Sequence, residues 1–433
     1  MSISSAMNAG VAGLAANSSR LSTISDNIAN ASTFGYKRVE TEFSAMVVGQ
    51  GAGLYTAGGV RAATQRNVQQ EGAVVTTSHP LDLALTGRGM LPVNTVEDVR
   101  RGGQASLLMT RTGAFRPDAE GLLRTDGGLV LMGWPTSSDG SMPLVARDTT
   151  AALQPVKIDT NRPVSDPTTR ISLGANLPAT ATLPTGTGAP LPLRVEYFGN
   201  LGTSESLDIT FTPDTTVATG MSNAWRVEIR DSASNNRMIS SLRVVFDDSQ
   251  ATGGSIASVT TLSGLPYDPT TGRVPLEVGG GDMDLFIGMP GSDTGLKQLA
   301  ASFSPSNISK NGSPVGQLVS VEVDSEGYLK ASYDSGMVKT LFKIPVVDVP
   351  NLNGLTAVAG QAFKVSPDSG GFFLWDAGDG PTGTIAGYSR EASTTDIAQE
   401  LTQLITTQRA YSSNAKIIQT VDEMLQETTN IKR

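Results

Sequence analysis

From Tyr388 to Arg433 the chain contains neither Gly nor Pro, and within that run Ile397, Leu404, Tyr411, Ile418 and Leu425 recur at a strict seven-residue interval. Apolar residues at this spacing line one stripe of a helix and predict a coiled-coil-like seam, with Leu401, Ala415 and Val421 adjoining it. A helix of about 35 residues, rising about 1.5 Å per residue, would be about 50 Å long, too long for a small domain to cover. Ser393 and Thr394 are available as N-caps. Asp396 and Glu400 sit where the helix dipole favours acids, and Lys432 and Arg433 where it favours bases.

The other end repeats the pattern. Met7, Leu14, Leu21 and Ile28 share the seven-residue interval, with Val11 and Ile24 on the same stripe. Ala, Ser, Thr and Asn crowd the remaining faces, where a solvated helix would carry Lys and Glu. Two arrangements follow. In one, the terminal helices pack on each other within the chain. In the other they also bundle with the helices of neighbouring subunits, which makes Met7, Leu14, Leu21, Ile28, Ile397, Leu404, Tyr411, Ile418 and Leu425 a hypothetical assembly interface. The N-terminal helix stops in "SDNIANASTFGYKR". There Asn27 and Asn30 can bond backbone groups freed at the helix end, and Gly35 lets the chain turn outward, so the three form an elbow.

Between the helices the chain reads as β-rich. The expected order is a helix over 1–34, a linker or elbow over 35–70 with "GQGAGLYTAGGV" its loosest part, and a first β segment over 71–155. An inserted outer β domain over 156–295, a second β segment over 296–380 and a helix over 390–433 complete it. "GGLVLMGWP" reads as a buried strand, and "WRVEIRD" and "LRVVFDD" as alternating ones. "DAEGLLRTDGG" from Asp118 and "DSEGYLKASYDSG" from Asp324 echo each other across the middle segment. The fold class expected is therefore mixed: long terminal α-helices forming a coiled-coil-like inner domain, plus nested mainly-β domains.

Composition narrows the chemistry. With no Cys and a single His, His79, the chain excludes disulfides, thiolate zinc sites and multi-histidine centres. His79 precedes Pro80 and reads as part of a strand-entry turn. The net charge of -9 argues against a nucleic-acid partner. "GMPGSDTGLK" lacks the Gly-Lys-Ser/Thr ending of a phosphate loop, and "GGGDMD" and "DAGDG" lack the ligand spacing of an EF-hand. The sequence singles out no catalytic, cofactor-binding or metal residues. No run of 18 apolar residues predicts membrane insertion, and the N-terminus lacks the basic and apolar regions of a secretory signal.

"ISDNIANASTFGYKR" and "LTQLITTQRAYSSNAKIIQTVDEMLQETTNIKR" resemble the terminal signatures of the flagellar axial proteins, the rod and hook family. The block from "LDLALTGRGML" to "LVLMGWP" is similar to the β domain found in its hook branch. The resemblance implies a structural, non-enzymatic subunit of the hook, self-assembling into a flexible hollow tube that carries torque from rod to filament. A distal rod protein or other axial component is the alternative. It further implies rod, hook cap and hook–filament junction partners, passage through the flagellar type III export apparatus without a cleaved signal peptide, and residence outside the cell. A secreted β-rich adhesin or enzyme with a helical stalk is the rival from another class; it calls for a signal peptide or a catalytic cluster, and the sequence displays neither.

Overall fold

In the computed structural model the described residues are 3–46, 57–101, 107–137, 140–160 and 162–431. The chain divides into two compact units. One comprises residues 1–160, 320–331 and 339–433; the other comprises 161–319 and 332–338.

The first unit holds both terminal helices, Ile3–Ala29 and Ile397–Ile431. They run antiparallel, with Gly10 beside Ile418 and Gly13 beside Asn414. Both begin or end inside the expected spans: residues 30–34 form turns, and the C-terminal helix starts only at Ile397. Its N-cap is Asp396, not Ser393 or Thr394. The Asp396 Oδ1 accepts the backbone N–H of Ala398 at 2.8 Å and of Gln399 at 3.2 Å, satisfying donors that have no partner within the helix. Lys432 and Arg433 lie outside the described residues.

The expected linker over 35–70 contains a β-hairpin, Val39–Ala45 paired antiparallel with Val60–Arg66. Most of "GQGAGLYTAGGV" lies outside the described residues.

The body of this unit is built on Leu129–Pro135, buried along almost its whole length. Leu91–Thr95 flanks it on one side and Val338–Lys343 on the other. Met90, Met109, Met132, Trp134, Val347, Phe363 and Leu374 close a core over this sheet. Asp82–Thr86 carries Leu83 and Leu85 inward between Thr112–Ala114 and Thr384–Ala386. His79 lies in the turn before it, where its carbonyl accepts the Asp82 N–H.

The sequence echo is reproduced in the backbone. Asp118 Oδ1 accepts the N–H groups of Glu120 and Leu122 at 3.0 and 2.8 Å, and Asp324 Oδ1 accepts those of Glu326 and Tyr328 at 3.1 and 2.8 Å. Gly121 and Gly327 have φ of 82° and 86°, values that favour Gly. Each gives its carbonyl to an isoleucine N–H, Ile158 at 2.8 Å and Ile344 at 2.7 Å. Each turn is followed by a fully buried leucine, Leu123 or Leu329.

The second unit packs two sheets on one core. A five-stranded antiparallel meander runs Leu191–Phe198, Ser204–Pro213, Ala224–Asp231, Arg237–Phe246, Ile256–Ser263. In the other sheet Arg170–Pro178 pairs parallel with Gly281–Phe286 and Leu296–Leu299, and antiparallel with Ser304–Lys310. Those last two strands place residues 296–310 in this unit, beyond the expected boundary at 295. Phe211, Trp225, Ile229, Leu173 and Leu285 are among the side chains that fill the space between the sheets.

A buried carboxylate ties the meander's edge. Asp231 accepts the Tyr197 hydroxyl at 2.6 Å, the Ser234 hydroxyl at 2.6 Å and the Gly279 N–H at 2.9 Å. Burial pushes its pKa up, but these bonds outweigh burial and leave it below the ordinary value. A carboxyl with a depressed folded pKa contributes stability above its unfolded pKa of about 3.9 and loses it as pH falls through the folded value. The acid limb of this unit's unfolding should therefore lie below about pH 4, and Asp231→Asn should flatten it; circular dichroism over a pH series reads the result.

Candidate assembly elbow and helix pair

The stretch that ends the first helix is a knot of buried polar contacts. Asn27, 1% exposed, acts on a strand and not on its own helix end: its Nδ2 donates to the Val39 carbonyl at 2.8 Å and its Oδ1 accepts the Val39 N–H at 2.9 Å. Asn30 does bond the freed helix end, its Nδ2 donating to the Asp26 carbonyl at 2.9 Å. The Tyr36 hydroxyl donates to Asp26 Oδ2 at 2.9 Å. Burial and that carboxylate push the Tyr36 pKa up to about 12. Gly35 turns the chain with φ of 74°, and a Cβ there would stand 2.8 Å from the Thr112 Cγ2. Its N–H donates to the Glu391 carbonyl at 2.8 Å.

Two cations follow the turn. Lys37 is buried with its ammonium 2.6 Å from Glu391 Oε1, and it also donates to the Gln70 carbonyl. The second Glu391 oxygen accepts Arg111 Nε at 2.9 Å, and the Gly72 N–H donates to Oε1 at 2.8 Å. Lys37 and Glu391 side chains are both 0% exposed. Burial draws the Lys37 pKa below the lysine value, opposed by the Glu391 charge. Arg38 donates through its guanidinium to Glu400 in the first turn of the C-terminal helix and to Glu40 of the hairpin. Its backbone N–H donates to Thr394 Oγ1 at 2.8 Å, and the Thr394 N–H donates to the Tyr36 carbonyl at 3.1 Å. "GYKR" thus fastens the end of one helix to the start of the other.

Lys37, Arg38, Arg111, Glu391 and Glu400 were not singled out as site residues by sequence reasoning. The signal that could have found them is the adjacent pair of cations beside a turn glycine, which needs acids brought from a distant segment.

The line buried within the helix pair differs from the seven-residue stripe. Along the N-terminal helix the buried line is Ser5, Gly10, Gly13, Ala16, Asn17, Ile24 and Asn27. Along the C-terminal helix it is Glu400, Thr407 and Val421. Both lines keep heptad spacing, but apart from Ile24 and Val421 they are small or polar and lie beside the apolar stripe. The physical reason is close approach: a Cβ on Gly10 would stand 3.2 Å from Ile418 Cγ1, and one on Gly13 2.8 Å from Asn414 Nδ2. Ile24, on the edge of the expected stripe, is the large residue that is fully enclosed.

Of the nine expected interface residues, Ile418 packs on Gly10, and Leu14, Leu21, Ile28 and Leu404 are half-buried. Met7, Ile397, Tyr411 and Leu425 remain 39%, 50%, 43% and 40% exposed. Val11, Leu401, Ile405, Ile417 and Met424 join them on the exposed surface. The helix pair therefore leaves apolar side chains in water along most of its length.

A chain whose ends close into one helix pair and whose pair keeps apolar side chains outward has the build of a self-associating structural protein. The family described as "Flagellar basal body rod FlgEFG protein C-terminal" matches residues 386–431, and that described as "Flagella basal body rod protein" matches 7–37. The flagellar hook protein FlgE of Rhizobium meliloti is 33% identical and that of Brucella suis 32% identical, each alignment covering 100% of both chains. The Escherichia coli flagellar hook protein FlgE is 26% identical over 99% of this chain and 100% of its own. The Helicobacter pylori flagellar hook protein FlgE2 structure aligns over 74% of this chain and 99% of its own at 12% identity and a TM-score of 0.47, too distant to bear on the fold. The chain belongs to the flagellar hook protein family, which is structural and not enzymatic.

Proposed function

We propose that this chain is the repeating subunit of a flexible hollow hook, in which terminal helix pairs from many copies bundle into an inner tube and the β units form the outer shells. The exposed apolar residues of the helix pair carry this reading: Ile397, Leu401, Ile405, Tyr411, Ile417, Met424 and Leu425 have the right character to be covered by neighbouring copies. The strict seven-residue stripe then serves the contact between subunits, and the glycine-lined face serves the contact within one. Asn27, Asn30 and Gly35 act as the elbow from inner helix to outer shell, held by Lys37 and Arg38. Weakly charged, Thr- and Gly-rich outer surfaces suit contacts that slide while the inner tube keeps its connectivity. Rod, hook cap and hook–filament junction proteins are the expected neighbours at the ends of the tube. The type III export apparatus is the expected route out of the cell, with no cleaved signal peptide.

A chain lacking residues 1–34 and 390–433 should stay monomeric by analytical ultracentrifugation, while the full chain forms curved tubes visible by electron microscopy. Tubes from the shortened chain would overturn the inner-tube assignment. Straight, rigid tubes from the full chain would favour the distal rod alternative.

A further inference from the structure

The water-facing side of the second unit's meander carries an unbalanced pair of arginines. Arg226 and Arg243 stand directly opposite each other on Ala224–Asp231 and Arg237–Phe246, a placement in which like charges repel. The other cations of this face have acids. Arg194 donates to Asp208 at 2.5 and 2.9 Å, and Arg230 lies 3.8 Å from Glu228. Arg243 has only Asp214 at 3.5 Å, and the other Asp214 oxygen is taken by Thr216. Among the described residues no carboxylate comes within 4 Å of the Arg226 guanidinium, although Asp214 lines the same groove. The two guanidiniums line a groove of about 410 Å³ with Thr212, Asp214 and Leu262, the last of these 50% exposed.

The same unit presents a complementary tip. Asp293 has a 99% exposed side chain, with Lys297 at 3.4 Å its one ion-pair contact among the described residues, and Met289 of the same loop is 38% exposed. An acid beside an apolar residue matches two arginines beside an apolar residue. Because groove and tip are different patches, their contact is head-to-tail, the kind that propagates into an open helical polymer instead of closing a dimer.

Resting on the hook reading above, we propose that the Arg226–Arg243–Leu262 groove of one copy receives the Met289–Asp293 loop of a second copy. Asp293 brings Arg226 the carboxylate it lacks, beside the Arg243–Asp214 pair, and Met289 covers Leu262. The contact is small, polar at its centre and salt-sensitive, so it can break and re-form as the polymer bends.

The chain has no Cys, so a Cys pair reports this contact cleanly. Arg226→Cys with Asp293→Cys, expressed in hook-bearing cells and oxidised, should yield a ladder of covalent dimers and higher species on denaturing gels. Each single replacement alone should stay monomeric. In parallel, Arg226→Glu with Arg243→Glu should reduce hooks per cell at least tenfold by electron microscopy, and adding Asp293→Arg should restore them. No ladder, or a triple variant no better than the double, overturns the proposed contact and leaves the hook reading intact. If the unaltered chain builds no hooks in a strain lacking its own, the hook reading fails and this contact fails with it.

Discussion

Replacing Glu391 with Ala should destabilise the helix-bearing unit by about 3–5 kcal/mol, the cost typical of removing one partner from a buried ion pair. The size follows from what the carboxylate holds. Its two oxygens receive Lys37, Arg111 and the Gly72 N–H in a site where the Lys37 and Glu391 side chains are wholly inaccessible. Without it Lys37 keeps only the Gln70 carbonyl, and Arg111 keeps the carbonyls of Gly87 and Gly89. The two buried cations then keep as anion only the half-exposed Glu71, whose Oε1 lies 4.0 Å from Arg111 Nη2. Denaturant unfolding should resolve two transitions, one per unit, with only that of the helix-bearing unit displaced. Glu391→Gln keeps one acceptor oxygen and should cost less. A loss below about 1 kcal/mol for Glu391→Ala, inside the range of exposed pairs, would show that the knot does not hold the elbow.

The elbow also shows where sequence reasoning reached its limit. Helix length at the C-terminus was legible because absence of Gly and Pro and a repeated apolar interval are local properties. Gly35 was legible for the same reason: a lone glycine after a polar turn marks a positive φ wherever the chain goes next. Asn27 was recognised as important but given the wrong partner, since its two bonds reach Val39 across a turn whose path no local rule dictates. Glu400 is placed correctly for the helix dipole, yet the structure uses it to receive Arg38, a partner far away in sequence. The matching turns at Asp118 and Asp324 were legible as a pattern, because an Asx turn writes its side-chain and glycine requirements into adjacent positions. The boundary of the second unit was not. Residues 296–310 belong there only because Arg170–Pro178 offers them both of its edges, and strand partnership across such a distance leaves no periodic trace.

The apolar interval leaves open which face of each terminal helix meets the other. Heptad spacing says that a stripe exists, not what covers it. Small residues decide the internal contact, since glycines at positions 10 and 13 let the helices come closer than a leucine seam would. The larger apolar residues are left over for other surfaces. This division separates two kinds of substitution that the sequence alone treats as equivalent. Ile418→Asp removes the side chain packed on Gly10 and should loosen the helix pair and block assembly together. Leu401→Asp with Ile405→Asp changes side chains that are 46% and 51% exposed, so helix content and unfolding should shift by about 1 kcal/mol or less, the scale of exposed helix substitutions. Tube formation should nonetheless be abolished, because each carboxylate would have to be buried unpaired in a neighbouring copy's apolar contact. Paired circular dichroism and electron microscopy read both quantities on one sample. Tubes of normal yield from the Leu401→Asp, Ile405→Asp protein would leave this exposed stripe without an assembly role and move the contact between subunits to another face of the helix pair.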